Sequence, residues 1–398
     1  MAVALCGFLL LAGQPRARGE TVDTNPLNRQ PEVQQAFQLF YNMDYDEAMP
    51  RFEKIQREHP GNPMATAYLL DAVLFRELNR LDLLDTTFYA NDGFLTGKHT
   101  VVENPNVRDR IKALGDEAVD EANAELKTNP NDVDALFVRG WVKSLQATYS
   151  AIVERAFAGG LKQALGARAD CDRVLQLDPN YVDAELVTGV YQYVVGSLNI
   201  AFKVLIGFVG IHGSKGTGLA LLRDDGERGV ITRVEARTSM MLFLRREARY
   251  EPAVQIAKSL AEEYPHDYLF RLEEANLEKD AGDGMIAAAT YEQLIEMARR
   301  PGYYPNAHLE LAYFGLGDTL RGQKKYGDAV DAYRNGADQP TTSPELKRRC
   351  LLEAGMTYDL MRDHEKAIRQ YQAVLNAGSD TAQGDQARKY MKSAYTGK

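Results

Sequence analysis

Tyr313-Phe-Gly-Leu-Gly317-Asp-Thr-Leu320, followed by Tyr326, Ala329 and Tyr333, decides how this chain folds. Ala329 stands four residues before Tyr333, about one helical turn, so the two share a face. Gly317 stands twelve residues before Ala329, on the other side of a probable turn at Gly322-Gln-Lys-Lys325. The small-x-x-x-large spacing recurs at Ala48/Phe52, Ala118/Ala122, Ala167/Cys171, Ala253/Ala257, Ala287/Tyr291 and Ala367/Tyr371. Four of the seven copies have a proline twelve residues after the alanine: Pro60, Pro130, Pro179 and Pro265. A motif recurring this often marks a helical repeat array.

The pattern has a physical reason. Two antiparallel helices can cross closely only where both carry small residues. The alanines supply them on the second helix of each unit. Ala36, Gly140, Gly189, Ala275, Gly317 and Gly355 supply them on the first. The larger residue one turn after the alanine is expected to fill the gap toward the next unit. Proline then ends the second helix and resets the chain. No unit of this kind buries its apolar face alone, so neighbours must stack.

These residues resemble the tetratricopeptide repeat superfamily, and the 34-residue step from Ala253 to Ala287 is that family's period. The resemblance implies an all-α, TPR-like α-α superhelix. Near the centre, Asn129-Pro-Asn-Asp-Val-Asp-Ala and Asp178-Pro-Asn-Tyr-Val-Asp-Ala repeat at an offset of 49 residues. That spacing predicts elongated central helices, running through Trp141 to Phe157 and through Tyr191 to Phe208. The expected organisation is a leader over 1–19, N-terminal units over 20–130, central long-helix units over 131–250 and a C-terminal array over 251–398. Within it, residues 20–30 read as a loose lead-in, 64–85 as a helix and 89–100 as a loop.

A net charge of −9 and the absence of a Lys/Arg run argue against nucleic-acid binding. Three separated cysteines imply no disulfide framework. Ala4–Gly13 is an apolar run of signal-peptide length, and Ala17-Arg18-Gly19 offers small residues before Glu20. No basic residue precedes the run. Export to a bacterial periplasm, or association with the outer membrane, is the expectation. The apolar stretch Gly189–Gly210 approaches spanning length, but Gln192, Asn199 and Lys203 favour burial between repeats over membrane association. Gly207-Phe-Val-Gly210, the turn Gly213–Gly218 and Gly218-Leu-Ala-Leu-Leu222 are similar to the tetratricopeptide repeat protein 39 and inclusion-body-clearance family over 185–265.

Patterns for catalysis are missing. Gly213-Ser-Lys-Gly-Thr-Gly218 lacks the order and the preceding strand of a phosphate loop. No two of the six histidines stand at metal-ligand spacing, so neither metal nor cofactor is expected, and the chain reads as a non-enzyme. What remains is the groove that the TPR resemblance implies, lined by positions 5, 9 and 12 of each first helix. These are Thr238, Leu242 and Arg245; Leu272, Asn276 and Lys279; Phe314, Asp318 and Arg321; and Leu352, Met356 and Asp359. A mixture of Leu, Phe and Arg suits a peptide or helix of a partner protein. The competing reading packs some of these positions against a neighbouring insertion helix. A second alternative is a small-molecule or lipid site, enzymatic or not, between the long central helices beside His212 and Lys215.

Overall fold

A computed structural model describes residues 22–90, 102–198, 212–305 and 307–397. The leader, the 91–100 part of the expected loop and the apolar segment from 199 to 211 lie outside these residues. Seventeen α-helices and no strand occur among the described residues. They run in pairs: α1 (Pro31–Tyr41) with α2 (Tyr45–Glu58), α3 (Pro63–Arg80) with α4 (Pro105–Thr128), α5 (Val133–Ile152) with α6 (Phe157–Leu177), and α7 (Glu185–Ser197) with α8 (Lys215–Arg228). Next come α9 (Arg233–Arg246) with α10 (Tyr250–Glu263), α11 (Tyr268–Ala281) with α12 (Gly284–Ala298), and α13 (Leu309–Gly322) with α14 (Tyr326–Ala337). The last pair is α15 (Pro344–Leu360) with α16 (His364–Ala377), and α17 (Ala382–Lys392) closes the array. Each helix packs on the next in sequence, which makes the fold a TPR-like solenoid.

All fourteen residues of the seven small-x-x-x-large pairs have no exposed surface. An eighth pair, α7 with α8, was not seen in the alanine pattern because it uses Gly218 and Leu222 at the same spacing. A Cβ on Gly218 would lie 2.6 Å from the Gly189 carbonyl, and Leu222 is fully buried. The glycine-rich turn thus serves close helix crossing. One expectation is corrected. The large residue packs back onto its own unit's first helix in two cases, with Tyr333 against Gly317 and Tyr371 against Gly355, while Tyr291 reaches Gly315 of the following unit.

The four prolines fall between pairs, as expected. The turns within pairs follow another rule: a left-handed residue. Met43, Asp82, Arg155, Ala248, Gly282, Lys324 and Arg362 all have positive φ just after a first helix. Such a residue redirects the chain and lets the last helical carbonyls be satisfied. This shortens two helices relative to expectation. The 64–85 helix stops at Arg80, before Asp82, and the helix expected to reach Phe157 stops at Ile152, before Arg155. Elongation holds for α4, α5 and α6, with 24, 20 and 21 residues, but not for the helix expected to run through Tyr191 to Phe208: α7 ends at Ser197 after 13 residues, with Leu198 extended.

Residues 22–30 are not a loose lead-in. Thr24 donates to Asp183 at 2.9 Å, Asn28 donates to Thr24 at 2.6 Å, and the Tyr68 hydroxyl donates to the buried Asn28. The array also curls back on itself. The Tyr41 hydroxyl donates to Glu235, the Tyr41 and Tyr264 rings stand 5.4 Å apart, and Asn42 accepts from the His266 amide at 3.1 Å. The first pair therefore rests against α9, α10 and α11.

Candidate functional site

This closure decides what the carried-over groove can do. Arg245, in the last turn of α9, has a side chain only 2% exposed. Its guanidinium lies 3.3 Å from Glu273 and 2.6 Å from Asp280, and it donates to the Thr86 hydroxyl at 2.9 Å. Glu273 in turn accepts from the Thr86 amide and hydroxyl at 2.6 and 2.7 Å. Asn276 is buried beside them and donates to Thr87 at 3.3 Å. The turn after α3, residues 81–89, thus fills this part of the concave face. Leu272 is buried, Leu242 packs at the edge of the α7–α9 core, and Thr238 lines a cavity.

The groove-facing polar residues have a second, internal task. The Tyr291 hydroxyl donates to Asn276 at 2.5 Å, Tyr333 to Asp318 at 2.6 Å, and Tyr371 to Asp359 at 2.6 Å. A tyrosine buried at this repeat position needs an acceptor for its hydroxyl, and the facing helix supplies one. Asp318 also lies 3.5 Å from Arg321, which pairs with Glu353. The Phe314 ring carries the Arg349 guanidinium at 4.5 Å. Leu352 is buried, and Met356 packs beside Tyr371.

One part of the face stays open. Lys279, Asp283, Gly284, Asp318 and Gln323 surround a groove of about 490 Å³ where α11, α12 and α13 meet. Met285 and Ile286 also line it, 82% and 57% exposed. No ion pair holds Lys279 among the described residues. Lys279 and Asp318 are the expected site residues that this opening brings together.

A second space, partly open to solvent, lies between α1–α3 and α9–α11. This cavity of about 160 Å³ is bounded by aromatic side chains, Thr238 and the carboxyl groups of Glu235, Asp267 and Glu273. Burial pushes Glu235 up to about 7, Asp267 to about 8 and Glu273 to about 7. The space is remote from the region beside His212. There, Lys215 pairs with Glu247 at 2.8 Å and stands near the Tyr193 ring.

His308 was passed over in the sequence because its partners are not its neighbours. Its Nδ1 contacts Asp82, from the turn after α3, and lies 3.3 Å from Glu310. Asp82, His308 and Glu310 are the one group of three among the described residues close enough to share an ion. A proton on the ring fills that role. Burial alone would lower the His308 pKa, but the two carboxylates outweigh it and raise it from 6.5 to about 9. The stabilisation this gives is complete below the unfolded value near 6.5 and disappears as pH climbs through 9. The melting temperature should therefore fall between pH 6.5 and 9, and fall less in His308→Gln. Equal slopes in the two proteins would show that the imidazolium is not held as described.

No family model matches the sequence, and no curated protein does. Solved structures are similar at low identity. The Cut9–Hcn1 hetero-tetramer of the APC/C aligns with 92% of this chain at TM-score 0.48 and 12% identity. Yeast Tom70 aligns with 91% at 0.40 and 10%, covering 94% of that chain. A tetratricopeptide repeat protein from Parabacteroides merdae aligns with 82% at 0.35 and 13%, covering 99% of that chain. This chain spans 57% of the chain it matches in the Cut9–Hcn1 structure. One of the three is itself a tetratricopeptide repeat protein, but at these scores the helix pairing described above carries the assignment. Among the described residues no helix is long and apolar enough to cross a membrane.

Proposed function

We propose that this protein is a non-catalytic scaffold that binds a short segment of a partner protein where α11, α12 and α13 meet. The observation that carries the reading is Met285 and Ile286 standing exposed beside an open groove and Lys279, which no ion pair holds among the described residues. Exposed apolar side chains next to a free charge are the ingredients of peptide recognition: an apolar anchor for affinity and an ion pair for register. The partner segment therefore carries an apolar side chain close to an Asp or Glu. Arg245 and Asn276 leave the binding set, since residues 85–87 occupy them. Phe314 and Arg321 extend it along α13. The acidic overall charge and the mixed-sign groove favour protein over nucleic acid.

A random peptide display library tests this. Enriched sequences should pair Leu, Ile, Met or Phe with an acidic residue. Lys279→Glu should shift the enrichment toward Lys and Arg. No enrichment, or the same enrichment in Lys279→Glu, would end the proposal.

We also propose export, supported by the apolar run and small residues within 1–19. N-terminal sequencing of protein recovered from the bacterial envelope should then begin at Glu20, and an intact Met1 end would refute cleavage there. The likeness of 185–265 to the tetratricopeptide repeat protein 39 family rests on its motif alone. An alignment of close homologues in which the glycines from 207 to 218 vary freely would dismiss it.

A further inference from the structure

We propose that the cavity between α1–α3 and α9–α11 binds a small organic amine whose apolar body is about the size of a benzene ring. Packed cores leave few gaps larger than a water molecule, so a recess of about 160 Å³, partly open to solvent, stands out as a place for a ligand. An apolar cavity of about 150 Å³ is known to admit benzene. Five rings stand around this one: Phe40, Tyr41, Tyr45, Phe75 and Phe270. Aromatic faces attract a cation, most strongly where water is excluded.

The acids in the wall specify the charge. Glu273 is matched by Arg245 and Asp267 caps α11 by accepting from the Leu269 amide at 2.8 Å, but no cation pairs with Glu235 or Asp267 among the described residues. One Glu235 oxygen accepts from Tyr41, and the other is buried without a partner. Asp71 does not line the space but feels the Glu235 charge, and it is fully buried with both oxygens unpartnered. Buried carboxyl groups left this way are costly unless a donor or a cation reaches them. An ammonium supplies both, whereas a carboxylate ligand would meet like charge. Burial holds Glu235 and Asp267 near neutral pH, so an arriving ammonium can draw out their ionised forms.

Calorimetry on the full chain with benzylamine, benzyl alcohol and phenylacetate tests the assignment. Benzylamine should bind about tenfold or more tightly than benzyl alcohol, and phenylacetate should not bind. Glu235→Gln should erase the preference for amine over alcohol. Thr238→Phe, which fills the cavity and alters neither acid, should abolish binding of both, and it keeps the test decisive if Glu235→Gln fails to fold. Equal affinity for amine and alcohol would overturn the proposal. So would benzylamine binding that survives in Thr238→Phe.

Discussion

Replacing Arg245 by methionine should destabilise the protein by about 3–5 kcal/mol, the cost of stranding a buried carboxylate without its partner. Glu273 is 3% exposed and was brought into the interior together with Arg245. The double variant Arg245→Met, Glu273→Gln should recover most of the loss, because no uncompensated charge is then left inside. Denaturant midpoints of the four proteins in the cycle give the coupling. The single variant should also become sensitive to proteolysis around Thr86 and Thr87, which lose their anchor. A cost below about 1 kcal/mol, well under the buried-pair range, with no coupling would mean that residues 81–89 are not held by this pair.

Gly317→Leu should cost at least about 3 kcal/mol, the upper end of ordinary overpacking. A Cβ there would lie 2.6 Å from the Tyr333 ring, which is fully buried and fixed by its hydroxyl on Asp318. The ring has nowhere to go. Gly322, the last residue of the same helix, provides the contrast: a Cβ there meets nothing within 4 Å. Gly322→Ala should be neutral or stabilise by up to about 1 kcal/mol, since glycine in a helix carries excess unfolded entropy. Thermal melts of the two variants should move in opposite directions. A tolerated leucine at 317 would refute the view that this glycine exists to seat the tyrosine.

The array was legible because its signal is steric. Small residues are compulsory where backbones cross, and sequence shows them directly as Ala48, Ala287 or Gly317. The α7–α8 pair was half visible: Gly189 was noted, but its partner Gly218 hid inside a turn that looked like a loop motif. The left-handed turn residues gave no signal, because Met43, Asp82, Arg155, Ala248, Lys324 and Arg362 are not the glycines that such a position favours. For the groove, the period named Thr238, Arg245 and Asn276 as inward-facing, whereas Thr238 stands on a cavity wall and the other two meet Thr86 and Thr87. It could not show that residues 85–87 would meet them there. Repeat spacing describes each unit against its neighbours and carries no information on how far the array curves. The same blindness concealed Asp82 beside His308, and the cavity whose walls come from α1–α3 and α9–α11.

The curling of the first pair onto α9–α11 also orders the events of folding. In an open solenoid every contact is local, so the chain can fold from either end as it is made. Here Tyr41 must find Glu235, 194 residues away, and Asn42 must find His266, 224 away. Its helices can form as soon as they emerge from the ribosome, and Phe40 can close on Tyr45 and Phe52 within the pair, yet Tyr41 lacks Glu235 and Tyr264 until α9 and α10 have been synthesised. The pair α1–α2 is thus completed only after α9–α11. Through that interval it exposes an aromatic face that invites association with other chains.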